Sequence, residues 1–197
     1  MTGLSTDRGS DNIFRRSVTQ AFWMMRDPWK SLQEVSSSST RRSIGFMLTL
    51  GAVTAFLTPL QVLLGYEDIN GLHAGGQAEY LARDLSSMLG LGILWRPVLV
   101  ESLYVLVLLI TTTYLHVILR ALGGKAHVRE TMAMIAYGDT PGLLFGWIPY
   151  VATVSAVWAA VIQILIGPVV VHKLPWAKTI LVFSILLGMG LLEIALS

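Results

Sequence analysis

The chain has 197 residues, of which 54% are hydrophobic and only 13% charged, with a formal net charge of +2 and a mean hydropathy of +0.65; soluble domains carry about 25% charged residues. It contains no cysteine, which excludes disulfides, thiolate nucleophiles and cysteine-ligated metals. Its Leu, Val and Ile fall in blocks of about 20 residues, the length a helix needs to cross about 30 Å of hydrocarbon, so the sequence reads as an all-α integral membrane protein with room for one helical bundle.

Residues 1–12 (MTGLSTDRGSDN) are polar and rich in small residues, with too little apolar surface to offset the entropy of ordering. From 13 to 35, Phe14, Phe22, Trp23, Met25 and Trp29 mix with Arg15, Arg16, Arg26 and Lys30, the make-up of an amphipathic helix lying in the headgroup plane, the alternative being a loop held against the bundle. Phe14, Arg15, Arg16, Phe22, Trp23 and Trp29 are its expected interfacial anchors, and Asp27-Pro28 should break or restart the helix. Interleaved basic and aromatic residues also occur in nucleic-acid binders. Here they stand just before an apolar run, so anionic headgroups are the fitting partner, at about 1 kcal/mol per basic residue near the surface, and no nucleic acid is expected. Residues 36–40 read as a short linker. Nothing in 1–42 resembles the apolar stretch of a cleaved signal peptide, so that part is expected to be retained as a cytoplasmic segment, with 43–197 as the membrane domain.

Apolar length and polar flanks place five spans, at 43–64, 95–119, 128–145, 147–171 and 176–196. A long outer loop, 65–94, holds Glu67, Asp68, Glu79 and Asp84 and a possible second interfacial helix over 78–91. Basic residues near span ends stay on the cytoplasmic side. Twelve of the fourteen lie in the N-terminal segment, in the second-to-third connection (Arg120, Lys125, Arg129) and in the fourth-to-fifth (Lys173, Lys178). The expected orientation is therefore a cytoplasmic N-terminus and an external C-terminus. Trp95, Trp147 and Tyr150 at outer ends and Trp176 at an inner one match the aromatic belts of a bilayer.

Two carboxylates stand out within the spans. On the second span, at about 100° per residue, Glu101, Tyr104, Leu108, Thr112 and His116 share a face. Glu101 is costly in lipid, so it should point into the bundle and find a partner, be protonated, or sit near the outer interface within reach of Arg96. Asp139 lies ten residues after Arg129, about 15 Å deep at 1.5 Å per residue. Two residues on, Pro141 lacks an amide proton and clashes with the preceding turn, with Gly142 beside it, so the third span should be broken there and carbonyls near Tyr137 and Gly138 should lose their helical partners. Tyr137, Tyr104, Thr112 or freed amides could donate to Asp139. Broken helices at mid-membrane form transporter sites; they also let spans pack closely and hydrogen-bond. The absence of an internal repeat favours packing.

Other frames are weak. His73 stands near Glu67 and Asp68 without a tight ligand spacing, and His116, His127 and His172, toward the cytoplasmic ends, read as surface residues, so no metal or other cofactor is expected. No Gly-x-Ser-x-Gly elbow groups a nucleophile with a base, and "GGKAHV" lacks the spacing and hydroxyl of a phosphate loop. Its Gly123 fits the left-handed cap of the second span, with Arg120 at the negative end of the helix dipole.

The stretch "LHVILRALGGKAHVRETMAMIAYGDTPGLLFGWIPYVATVSAVWAAVIQI", with its Gly-Gly-Lys turn, its "AYGDTP" and its "GWIPY", followed by "HKLPWAKTILVFSILL", resembles the Yip family, five-span membrane proteins first described as partners of Ypt and Rab GTPases. The resemblance is clearest over 115–180 and extends over about 20–197. It implies a cytoplasmic N-terminus, five spans and a membrane-organising role rather than catalysis. The chain departs from the eukaryotic pattern, with "ILWRPVLV" where an Asp-Leu-Tyr-Gly-Pro motif would stand and no long N-terminal domain, and so is similar to the short prokaryotic type, to which Rab binding does not transfer.

The expected function is that of a non-enzymatic scaffold or accessory subunit in the cytoplasmic (inner) membrane of a prokaryote, partnered by lipid headgroups and other membrane subunits. The alternative is a small ion or solute channel or transporter using Asp139 and Glu101.

Overall fold

The computed structural model describes residues 13–35, 37–63, 84–85, 87–90, 95–148 and 151–196. Residues 1–12, the acidic loop residues Glu67, Asp68, His73 and Glu79, most of the helix expected over 78–91, and Tyr150 lie outside them. Every regular element among the described residues is helical.

Asp27-Pro28 divides the N-terminal segment. Helix α1 runs over Ile13–Arg26 and α2 over Pro28–Val35, because Pro28 cannot continue the amide ladder of α1 but suits a first helical turn. Asp27 serves both helices. Its amide reaches back to the Trp23 carbonyl at 2.8 Å, while its carboxylate accepts the Lys30 amide at 3.1 Å, as an N-cap does. A further helix, α3, covers Thr40–Leu63, with the Ser39 hydroxyl accepting the Arg42 amide at 3.3 Å.

Further along the chain, α4 spans Arg96–Ala121. It stops where Gly123 adopts φ +95°, a left-handed turn that costs glycine nothing, and the Arg120 guanidinium bonds the Gly124 carbonyl at 3.0 Å. Helices α5 (Val128–Gly138) and α6 (Thr140–Phe145) follow on either side of Asp139. Helix α7, Val151–Ala160, passes into a π-helical turn, Val161–Ile166, and then into α8, Gly167–Val170. Pro168 explains the widening, since it has no amide to give the preceding turn, and the Gly167 amide reaches five residues back to Ile162. Helix α9 covers Trp176–Leu196.

Helix α5 is the axis of the bundle. It touches α1, α2, α3, α4, α6, α7 and the π turn, and every residue from Thr131 to Gly138 is buried. A helix buried all round belongs to a bundle interior. Among the described residues, two stretches are long and apolar enough to cross a membrane, Val98–Ala121 in α4 and Thr153–Val170 through α7, the π turn and α8; Trp176–Ile185 of α9 is a shorter apolar stretch.

The α1–α2 pair packs on this bundle through α3, α5, α6 and α8. Ser17, Ala21 and Met24 of α1 and Leu32 and Val35 of α2 are buried, whereas Phe14, Phe22 and Trp23 are 50%, 53% and 50% exposed. At about 100° per residue, Phe14, Val18 and Phe22 form a stripe beside the buried one, and Arg15, Thr19 and Arg26 follow next around the helix. The expected anchors Arg15 and Arg16 are exposed as well. Trp29 stacks on Trp176 with ring centroids 5.9 Å apart, tying α2 to the start of α9.

Candidate functional site

The junction of α5 and α6 is interrupted for a single residue. The Asp139 amide still bonds Ile135 at 3.1 Å and its carbonyl still accepts Leu143 at 3.0 Å. Pro141 leaves the Tyr137 carbonyl without an amide partner, and the Thr140 hydroxyl donates to it instead. The Thr54 hydroxyl of α3 is shared between the carbonyls of Leu143 and Gly142, at 3.0 and 3.3 Å. Thr140 therefore mends the break, Thr54 ties α3 to the helix beyond it, where the Gly142 carbonyl also keeps the Gly146 amide at 2.9 Å, and Asp139 is left to make a bond of its own.

That bond comes from Gln163, whose Nε2 donates to Asp139 Oδ1 at 2.7 Å. Gln163 stands in the π turn, and Gly138 lets it approach. A Cβ at Gly138 would lie 3.1 Å from Ile162 Cγ2 and 3.2 Å from Gln163 Cγ. Tyr137 was an expected donor to Asp139; it turns the other way, packs its ring against that of Phe46 with centroids 4.1 Å apart and planes tilted by 42°, and donates its hydroxyl to Gln20 of α1 at 3.3 Å. Helical geometry explains this correction, since residues two apart do not share a face.

The face expected on the second span is an inward one. Leu108 and Thr112 of α4 are buried, and Glu101, Tyr104 and His116 are partly so. Its members do not converge on Asp139. Tyr104 packs against the bundle core, and Glu101 sits against Gly51 of α3, where a Cβ would meet its Oε1 at 3.1 Å.

His116 belongs to a second cluster at the other end of α4. Thr131 Oγ1 lies 2.8 Å from His116 Nδ1 and 2.8 Å from His172 Nε2, one hydroxyl between two imidazoles. His172 was expected at the surface and is instead 0% exposed. The turn after α8 folds it beneath the α4–α5 connection, and its carbonyl accepts the Lys125 amide at 3.1 Å. Burial first, then the nearby His116 and Arg120, push its pKa down to about 4, with Glu130 opposing. His127 is exposed as expected. No group of three metal-binding side chains occurs among the described residues.

The partners that sequence reasoning missed are Gln163, Thr54, Gln20 and Thr131. Gln163 did carry a signal, being the one amide side chain within 151–171, and a polar side chain at such depth is expected to face another helix.

Compared with known proteins, residues 23–196 match the sequence model of the Yip1 domain family. No curated protein and no solved structure matches the chain.

Proposed function

The chain belongs to the Yip1 domain family of membrane proteins, and from that premise we propose that it is a non-enzymatic, multi-pass scaffold or accessory subunit of a prokaryotic cytoplasmic membrane, helping to organise the bilayer or to assemble a membrane complex. The observation that carries this reading is the use made of the deepest carboxylate. Asp139 is held by Gln163, and the carbonyls around the break are taken up by Thr140 and Thr54. Groups spent on one another in this way clamp helices together rather than coordinate a passing solute.

The α1–α2 pair supports a peripheral role. Its aromatic stripe is exposed beside the packed face and would lie among the headgroups of the cytoplasmic leaflet, with Arg15, Arg16 and Arg26 toward anionic lipid. In this reading α3, α4, α5–α6, α7–α8 and α9 each make one passage. The outward apolar side chains of α4 (Ile110, Val117) and α9 (Ile180, Leu181) face lipid or the spans of other subunits.

The test is purification in mild detergent with crosslinking beforehand. Recovery of a defined membrane partner at fixed stoichiometry is expected; a lone chain that moves solute in liposomes rejects the proposal. Because the chain lacks cysteine, single substitutions read the topology cleanly. Ser197→Cys should react with an impermeant maleimide on intact cells and Ser5→Cys only after permeabilisation. The reverse pattern rejects the orientation.

A further inference from the structure

Between α3 and α4 lies a groove of about 550 Å³, walled by Leu48, Phe56, Val98 and Val105 and floored by Glu101. Its volume falls within the about 300–1,000 Å³ typical of sites for small molecules. Leu48, Phe56 and Val98 are exposed, so in a membrane the groove opens sideways onto acyl chains. Both carboxyl oxygens of Glu101 are buried and have no hydrogen-bond partner among the described residues. The neighbouring Ser102 hydroxyl is already spent on the Val98 carbonyl at 2.8 Å. A buried carboxyl without donors is among the costliest arrangements in a protein, and within a membrane such a group marks a functional site by default.

Its depth narrows the partner. Helix α4 has 26 residues, about 39 Å at 1.5 Å per residue, so when it is centred on about 30 Å of hydrocarbon each end projects about 4–5 Å. Glu101, five residues from the outer end, then lies about 3 Å below the hydrocarbon edge, within reach of lipid headgroups. The spans of a second copy, residues 43–82, 97–119, 130–172 and 179–197, contain no lysine or arginine, and its basic residues on the outer side are Arg83 and Arg96 alone. A divalent metal would demand several oxygen ligands, and the groove lining has one carboxylate.

We propose that this groove binds a lipid bearing a primary ammonium, its acyl chain along Leu48, Phe56, Val98 and Val105 and its ammonium donating to the Glu101 carboxylate. Glu101 now rests on Gly51, and its side-chain torsions let the carboxyl swing to the groove without moving the helix. The proposal rests on α3 and α4 spanning the bilayer, which is read separately by retention of the chain in membranes through alkaline extraction.

The test is native mass spectrometry of the detergent-purified full chain with phosphatidylethanolamine, phosphatidylcholine and phosphatidylglycerol of identical acyl chains. The wild type is expected to retain the ethanolamine lipid about tenfold better than either other, the size of one charge-assisted hydrogen bond, and Glu101→Gln to erase the difference. Equal retention by the wild type, or a preference that survives Glu101→Gln, overturns the proposal. Should that variant fail to fold, Val98→Trp, which fills the groove and keeps the carboxylate, decides in the same way: loss of the preference supports the site and its survival overturns it.

Discussion

Gln163 reaches Asp139 at 2.7 Å from a helical turn wound one residue wide, so the π turn and the interruption at Asp139 form one device. The widened turn advances the amide toward α5, and Pro141 frees the next helix to begin beneath it. Gln163→Leu leaves the carboxyl without its donor and should cost about 1–3 kcal/mol, read as a lowered midpoint of thermal unfolding in detergent. Asp139→Asn, which can still bond the Gln163 amide group, should lose less. If Gln163→Leu were as stable as the wild type, the clamp would be of no consequence to the fold.

The same pair separates packing from transport. With the chain in liposomes, Asp139→Asn should leave any solute or proton leak, and its pH dependence, at the wild-type level. A leak that vanishes in this variant would return Asp139 to the role of an ion station.

Close approach of α5 to the π turn depends on two glycines, and they are not equivalent. A Cβ on Gly167 would lie 2.3 Å from Met134 Sδ and 2.6 Å from the Ile162 carbonyl oxygen, whereas on Gly138 its nearest neighbours are 3.1 and 3.2 Å away. Overpacking of this kind costs about 1–3 kcal/mol, so Gly167→Ala should destabilise more than Gly138→Ala. Gly188→Ala, with nothing within 4 Å, should be slightly stabilising, since alanine favours a helix interior over glycine. Equal midpoints for the three variants would show that the helices yield at little cost.

Much of this was legible in the sequence because bilayer thickness and backbone chemistry act locally. Apolar length placed the helices that became α3 to α9 to within a few residues, Pro28 split α1 from α2, and Pro141 marked the interruption. Partners across helices were not legible. The periodicity that puts Glu101 and Thr112 on one face assumes 3.6 residues per turn, and a π turn breaks that register at Gln163. His172 misled for a related reason. Its place after a span suggested headgroups, but whether the turn carries it outward or beneath α4 depends on Thr131 and the close fit of Gly124, where a Cβ would stand 2.7 Å from His172 Nδ1.

That burial makes acid stability the last expectation. His172 takes up its proton near pH 4 in the folded chain and near its ordinary 6.5 when unfolded. Between these values the unfolded state binds more protons, so stability is fully present above about 6.5 and is lost as pH falls toward 4, by up to about 3 kcal/mol. The charged groups around it do not reverse the sign. Arg120 and His116 oppose the imidazolium, and Glu130 favours it less strongly than burial and those cations disfavour it. The wild type should therefore show an unfolding midpoint that drops between pH 6.5 and 4.5, and His172→Gln, which has no proton to gain, a flatter profile from a lower start. Parallel profiles would assign the acid sensitivity to other groups.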